Sequence, residues 1–78
     1  MPTTEPLSAA AFTAAELRAE VARQNITQQQ LGDRMGVRQW WVSRRLTGDV
    51  PITVEDLVRF AAALGVPMSQ FLPEDVSA

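Results

Sequence analysis

Three segments of this 78-residue sequence repeat one pattern: "FTAAEL" at 12–17, "ITQQQL" at 26–31 and "ITVEDL" at 52–57. In each, an apolar residue precedes Thr, two residues intervene, an acidic or amide residue follows, and Leu closes. That is the grammar of a helix start. The Thr hydroxyl accepts from the amide three residues on, and the side chain at that third position reaches back to the Thr amide. The apolar residue before Thr meets the Leu and fixes the angle at which the chain enters the helix. Asp56 makes a shorter-armed box than Glu would. The stops agree: Gly36 and Gly65 each end a helical run and are followed by valine, Gly48 closes "WWVSRRLT", and Asn25 serves the first helix in the same way. The pattern predicts helices over about 14–24, 28–35, 38–47 and 54–64, with a short one near 68–72 stopped by Pro73. No run alternates with period two for long enough to make a strand. The expected fold class is all-α, a compact bundle of about five short helices.

Composition narrows the chemistry. With no cysteine and no histidine, the fold cannot use disulfides or an ordinary zinc site, and packing and capping must hold it together. A chain this short buries only about 60% of its extended surface. With lysine absent too, carboxylates, hydroxyls and arginines are what remains for catalysis, and no pair of acids has a spacing that suggests an active site. The expectation is a protein that is not an enzyme, with no cofactor, no metal and no small-molecule ligand. The N-terminus "MPTTEPLSAAAF" has neither the charged start nor the apolar run of a signal peptide, and no stretch is long enough to span a membrane. A cytoplasmic setting follows as the expectation. Residues 1–12 read as a flexible arm, 13–73 as one domain and 74–78 as an acidic tail. The arm carries Glu5 and no cation, so it is not read as a minor-groove probe.

Charge is unevenly distributed. The chain is −2 overall, yet residues 27–48 hold Arg34, Arg38, Arg44 and Arg45 against Asp33 alone, a local balance of +3 that leaves −5 on the rest. Such asymmetry is the footprint of a one-sided electrostatic contact, although four surface arginines are also common on a solvated face.

Within 27–48 the helices at 28–35 and 38–47 are separated by Gly36 and Val37 alone, which swings the second helix across the first in a helix-turn-helix. Close approach needs a small residue, and Gly32 supplies it despite costing about 1 kcal/mol relative to Ala inside a helix. The turn needs a positive φ, which Gly36 allows. Leu31 and Met35 share one face of the first helix, and Val42 with Leu46 forms an inward i,i+4 pair on the second. Advancing about 100° per residue from that pair points Trp40 and Arg44 away from the core, with Thr47 beside them. Trp41 and Ser43 fall on the flanks, and Gln39 and Arg45 lie nearer the inner boundary.

These residues resemble the Cro/C1-type helix-turn-helix family, the phage-repressor-like (lambda-repressor-like) DNA-binding domains. "TQQQLGDRMGV" resembles that family's first motif helix and turn, "SRRLTG" a common ending of its recognition helix, and "TVEDLVRFAAALGVPMSQFL" its last two helices; the likeness runs over about residues 14–72. Gly32, Gly36 and Val42 match the family's small, turn and buried positions. Arg45 departs, standing where many members place an aliphatic residue; Leu46 would then fill the space from one step on, with a rotated or tightened last turn. The resemblance implies a sequence-specific, double-stranded-DNA-binding transcriptional regulator of phage or bacterial type, reading the major groove with 38–47. Carried over position by position, it nominates Gln39, Trp40, Ser43 and Arg44 as base-contacting.

Their chemistry suits the role unequally. Arg44 can hold guanine O6 and N7 with both arms, Gln39 can hold adenine N6 and N7, and Ser43 suits either base type. Trp40 offers one donor and a broad apolar face. Gln28 resembles the family residue that bonds a backbone phosphate, helped by the positive end of its helix. Arg38 and the amides around Thr47 and Gly48 are further phosphate candidates.

The family's habit of pairing about a twofold axis implies a homodimer on a palindromic operator with half-sites one helical turn apart. If each subunit neutralised about three phosphates, log K would fall with log salt at a slope of roughly −5. Met68, Phe71 and Leu72 are the residues expected to make the dimer contact. A rival reading keeps the fold but makes it a protein-interaction module of antitoxin or anti-repressor type, with Trp40 and Trp41 as interface anchors. Trp41 is expected to pack or to touch a subunit partner. For Trp40, DNA contact and protein contact both stay open.

Overall fold

The computed structural model describes residues 8–74. Among the described residues, four α-helices and one 3-10 turn run in the order α1 (Ala9–Arg23), α2 (Gln28–Met35), α3 (Gln39–Thr47), α4 (Val54–Leu64) and the turn Met68–Phe71. No strand occurs among the described residues. The last expected helix is thus one tight turn rather than an α-helix: in the five residues between Pro67 and Pro73 the Gln70 amide donates to the Pro67 carbonyl and the Leu72 amide to the Ser69 carbonyl, both i→i+3 bonds.

Two of the three start signals form as written. Thr27 accepts from the Gln30 amide at 3.0 Å while Gln30 Oε1 accepts from the Thr27 amide at 2.8 Å. Thr53 accepts from the Asp56 amide at 3.0 Å, and Asp56 Oδ2 reaches back to the Thr53 amide at 3.3 Å. The staple residues Ile26 and Ile52 both pack against the core.

The third signal does not start a helix. Ser8 caps α1 instead, accepting from the Ala11 amide at 3.1 Å, and the alanine run that follows carries the helix through Thr13. Residues 8–12, expected in a flexible arm, are therefore cap and first turn; positions 1–7 and, of the acidic tail, 75–78 lie outside the described residues. Freed from capping, the buried Thr13 hydroxyl donates to the Phe71 carbonyl at 2.7 Å and ties α1 to the 3-10 turn.

The core is one cluster, built from Leu17 and Val21 of α1, Leu31 of α2, Val42 and Leu46 of α3, Leu57, Phe60, Ala61 and Leu64 of α4, and Phe71. Each fully buried Leu or Phe contributes about 1.5–3 kcal/mol, so few of these positions are dispensable in so small a domain. Phe71 has no exposed surface. That removes it from the expected dimer contact: the 3-10 turn points its ring inward beneath α1 and α4. Met68 and Leu72 are half-buried against the same core.

Candidate nucleic-acid interface

The turn between α2 and α3 takes its shape from two glycines. Gly36 ends α2 at φ 72°, donating to the Asp33 carbonyl at 3.3 Å, while the Val37 amide donates to the Gly32 carbonyl at 2.9 Å. This pair of bonds is a Schellman stop. Gly32 makes the close approach: a β-carbon there would sit 2.8 Å from the Val37 carbonyl oxygen. What crowds Gly32 is therefore the turn and the start of α3, and the turn in this way sets where α3 begins.

Val42 and Leu46 anchor α3 in the core, which leaves its opposite face outward. Trp40 is 56% exposed. Arg44 is exposed one helical turn on, its guanidinium carbon over the Trp40 ring at 5.3 Å from the centroid. Gln39, Trp40, Ser43 and Arg44, together with Arg38, line one open concavity of about 550 Å³. Gln39 is exposed rather than near the inner boundary, and Ser43 is half-buried on the flank. All four nominated base-contacting residues thus border a single surface.

The nominated phosphate contacts are more scattered. Arg38 is exposed at the N-cap of α3, where it makes no side-chain cap bond. Gln28 is half-buried in the first turn of α2, where the Thr27 cap engages the amide of Gln30 rather than its own. Thr47 and Gly48 are exposed beyond the concavity, but the Thr47 hydroxyl donates to the Arg44 carbonyl at 3.1 Å and the Gly48 amide to the Arg45 carbonyl at 3.3 Å. Both donors already close the end of α3.

Trp41 does the packing that Trp40 does not. Its ring lies 5.7 Å from Phe60, with the Arg45 guanidinium over it at 3.7 Å and that of Arg59 at 5.3 Å. Arg45, the family departure, is mostly buried: Nε bonds Asp56 Oδ2 at 3.2 Å and a terminal nitrogen donates to the Trp41 carbonyl at 3.2 Å. Leu46 fills the aliphatic space as expected, yet α3 stays α-helical through Thr47. The last turn is neither rotated nor tightened, because Arg45 finds polar partners at the edge of the core.

Sequence reasoning missed a second use of arginine. Arg18 donates to the Leu46 carbonyl, Arg34 to Ala63 at 3.3 Å and Arg59 to Met35 at 3.1 Å. Each guanidinium caps the carbonyl end of a neighbouring helix, where positive charge also complements the dipole. Of the four arginines in the local +3 segment, Arg45 is neutralised by Asp56 and Arg34 caps α4. Arg38 and Arg44 remain as the cations bordering the concavity. No local sequence signal marks these caps, since the partners lie 24–29 positions away. Two exposed valines, Val54 and Val58, were also missed; their i,i+4 spacing, off the face of Leu57 and Phe60, was visible in the sequence.

Buried scaffold, tight turn and outward-facing second helix together define a helix-turn-helix protein. The helix-turn-helix family of Cro/C1 type matches residues 16–71, and the chain belongs to that family. Two solved structures share the fold over most of their length. One, described as a hypothetical transcription factor NHTF from Neisseria, has TM-score 0.79 and 25% identity, with 99% of this chain and 92% of that one covered. The other, the clp gene regulator ClgR from C. glutamicum, has TM-score 0.76 and 27% identity, with 86% of each chain covered. A comparison with curated proteins finds no match.

Proposed function

We propose that this protein is a sequence-specific double-stranded-DNA-binding transcriptional regulator of bacterial or phage repressor type. It acts in the cytoplasm, and α3 reads the major groove. The observation that carries the proposal is the single concavity bordered by Arg38, Gln39, Trp40, Ser43 and Arg44 on the outward face of α3. That face holds bidentate partners for guanine and adenine, while the core holds the helix from behind. Family membership and the two regulator-type structures support the same reading.

One such helix reads only a few base pairs, so useful selectivity calls for two. We assign the pairing to a homodimer on a palindromic operator. With Phe71 inside, the contact rests on Leu72 and on Val54 and Val58, which are 72% and 51% exposed; Val54 and Leu72 border one apolar concavity, with Met68 on the adjoining 3-10 turn. Sedimentation equilibrium of the wild-type chain is expected to show a dimer that Val54→Glu with Val58→Glu converts to monomer. A wild-type monomer at high concentration contradicts the pairing.

The test of the function is selection of duplexes from a random pool by the full chain. The expected product is an inverted repeat with half-sites about ten base pairs apart, whose binding Arg44→Ala weakens at least tenfold with the far-UV spectrum unchanged. Recovery of no preferred sequence contradicts it. The exposed Trp40 is the one feature that favours the protein-interaction reading. That reading requires Trp40→Ala to abolish a protein contact while leaving DNA binding intact.

A further inference from the structure

We propose that Trp40 and Arg44 act as one composite reader of a G·C pair flanked by an A·T pair, the guanidinium on guanine and the indole against the neighbouring thymine's C5-methyl. This deepens, and rests on, the DNA-reading assignment above.

Three observations carry it. First, Trp40 is not explained by packing. Trp41 supplies the indole the core uses, against Phe60 and Arg45, whereas Trp40 is 56% exposed on the rim of the concavity. Second, Arg44 keeps its donors for an outside partner. The ion pairs among the described residues are Arg23–Glu20 and Arg45–Asp56, and what Arg44 meets is the Trp40 ring at 5.3 Å. That contact limits the sweep of a long side chain without occupying its hydrogen-bonding fork.

Third, the spacing suits readers on adjacent base pairs. A guanidinium bonded to both O6 and N7 lies in the plane of its guanine. Successive pairs are about 3.4 Å apart along each strand. A ring centred 5.3 Å from the guanidinium carbon is far enough away to reach the adjacent pair. An indole has a single donor and no acceptor, so it distinguishes hydrogen-bonding edges poorly. The one apolar group on a major-groove edge is the thymine methyl, and the indole face matches it.

The test uses the full chain and the duplex recovered from a random pool. Every half-site is expected to contain a G·C pair adjacent to an A·T pair. Replacing that thymine by uracil, which removes the methyl alone, is expected to weaken binding about fourfold per half-site, the equivalent of about 0.8 kcal/mol per buried carbon. Replacing the guanine by 7-deazaguanine should weaken it at least tenfold. Trp40→Ala should bind thymine and uracil duplexes equally, and Arg44→Ala should bind guanine and 7-deazaguanine duplexes equally. Wild-type binding indifferent to uracil, or half-sites lacking the adjacent A·T pair, overturns the composite reader while DNA reading by α3 stands. If no sequence is recovered above background, DNA reading itself falls, and the composite reader with it.

Discussion

At Gly32 a β-carbon would meet a backbone oxygen at 2.8 Å, and the Val37 carbonyl cannot retreat without moving the start of α3. Alanine would improve helix propensity by about 1 kcal/mol, but overpacking against rigid backbone costs about 1–3 kcal/mol. Gly32→Ala is therefore expected to lose stability in urea melts and to weaken DNA binding by tilting α3; a stabilised variant would show that the contact relaxes freely. Glu20 is the other residue with a specific consequence. Its carboxylate accepts from Gln24, from both Nε and a terminal nitrogen of Arg23, and from Gln70. These bonds, Gln24's foremost, then those of Arg23 and Gln70, hold its pKa below the ordinary 4.5 despite the opposing effect of burial. The sign follows from linkage. The unfolded chain binds a proton at Glu20 more readily than the native one, so the contribution is complete above the ordinary glutamate pKa and is lost as pH falls through the lowered native value. Glu20→Gln should flatten the acid limb of stability against pH below about 4.5. An unchanged limb in thermal melts would contradict the assignment.

Among the elements, the sequence signals divide by range. Thr27 with Gln30, Thr53 with Asp56, and the left-handed stops at Asn25, Gly36, Gly48 and Gly65 were all legible. Each is closed within a few residues, where side-chain chemistry alone decides. The α1 start departs from the sequence pattern because Thr13 has a better partner 58 positions away than its own helix offers, and the alanines behind Ser8 fit a helix as well as an arm. The burial of Phe71 and the arginine caps on Leu46, Ala63 and Met35 depend likewise on which helix ends meet in space. A contrast between Thr residues follows. Thr27→Ala and Thr53→Ala each remove a surface cap worth about 1 kcal/mol. Thr13→Val strips the Phe71 carbonyl of a donor inside the protein, at about 1–3 kcal/mol. Thr13→Val should thus match or exceed the cap variants in chemical denaturation, although it keeps shape and β-branching; a smaller effect would return Thr13 to a capping role. The face of α3 was legible because Val42 and Leu46 fix its rotation. The diversion of Arg45 to Asp56 and Trp41 was not, since that depends on where α4 begins.

For the whole molecule, the contrast between net charge and local charge has a sharper form than the sequence suggested. Arg45 is paired and Arg34 caps α4, so the concavity is bordered by two cations per chain, Arg38 and Arg44. A dimer placing four cations on DNA should show log K falling with log salt at a slope of about −4, slightly shallower than the −5 expected from charge counting. A slope near zero would remove electrostatics from the account. With so few cations against an overall charge of −2, binding to random duplex should be weak, so selectivity rests on the α3 face. On the proposed reading this face, and not the packed side of α3, meets DNA. The chain has two tryptophans, hence two indole N–H resonances in a nitrogen–proton correlation spectrum. On titration with the selected duplex, the resonance missing from the Trp40→Phe spectrum should shift strongly while that of Trp41 holds its position. Movement of the Trp41 resonance alone, or of neither, would contradict the account.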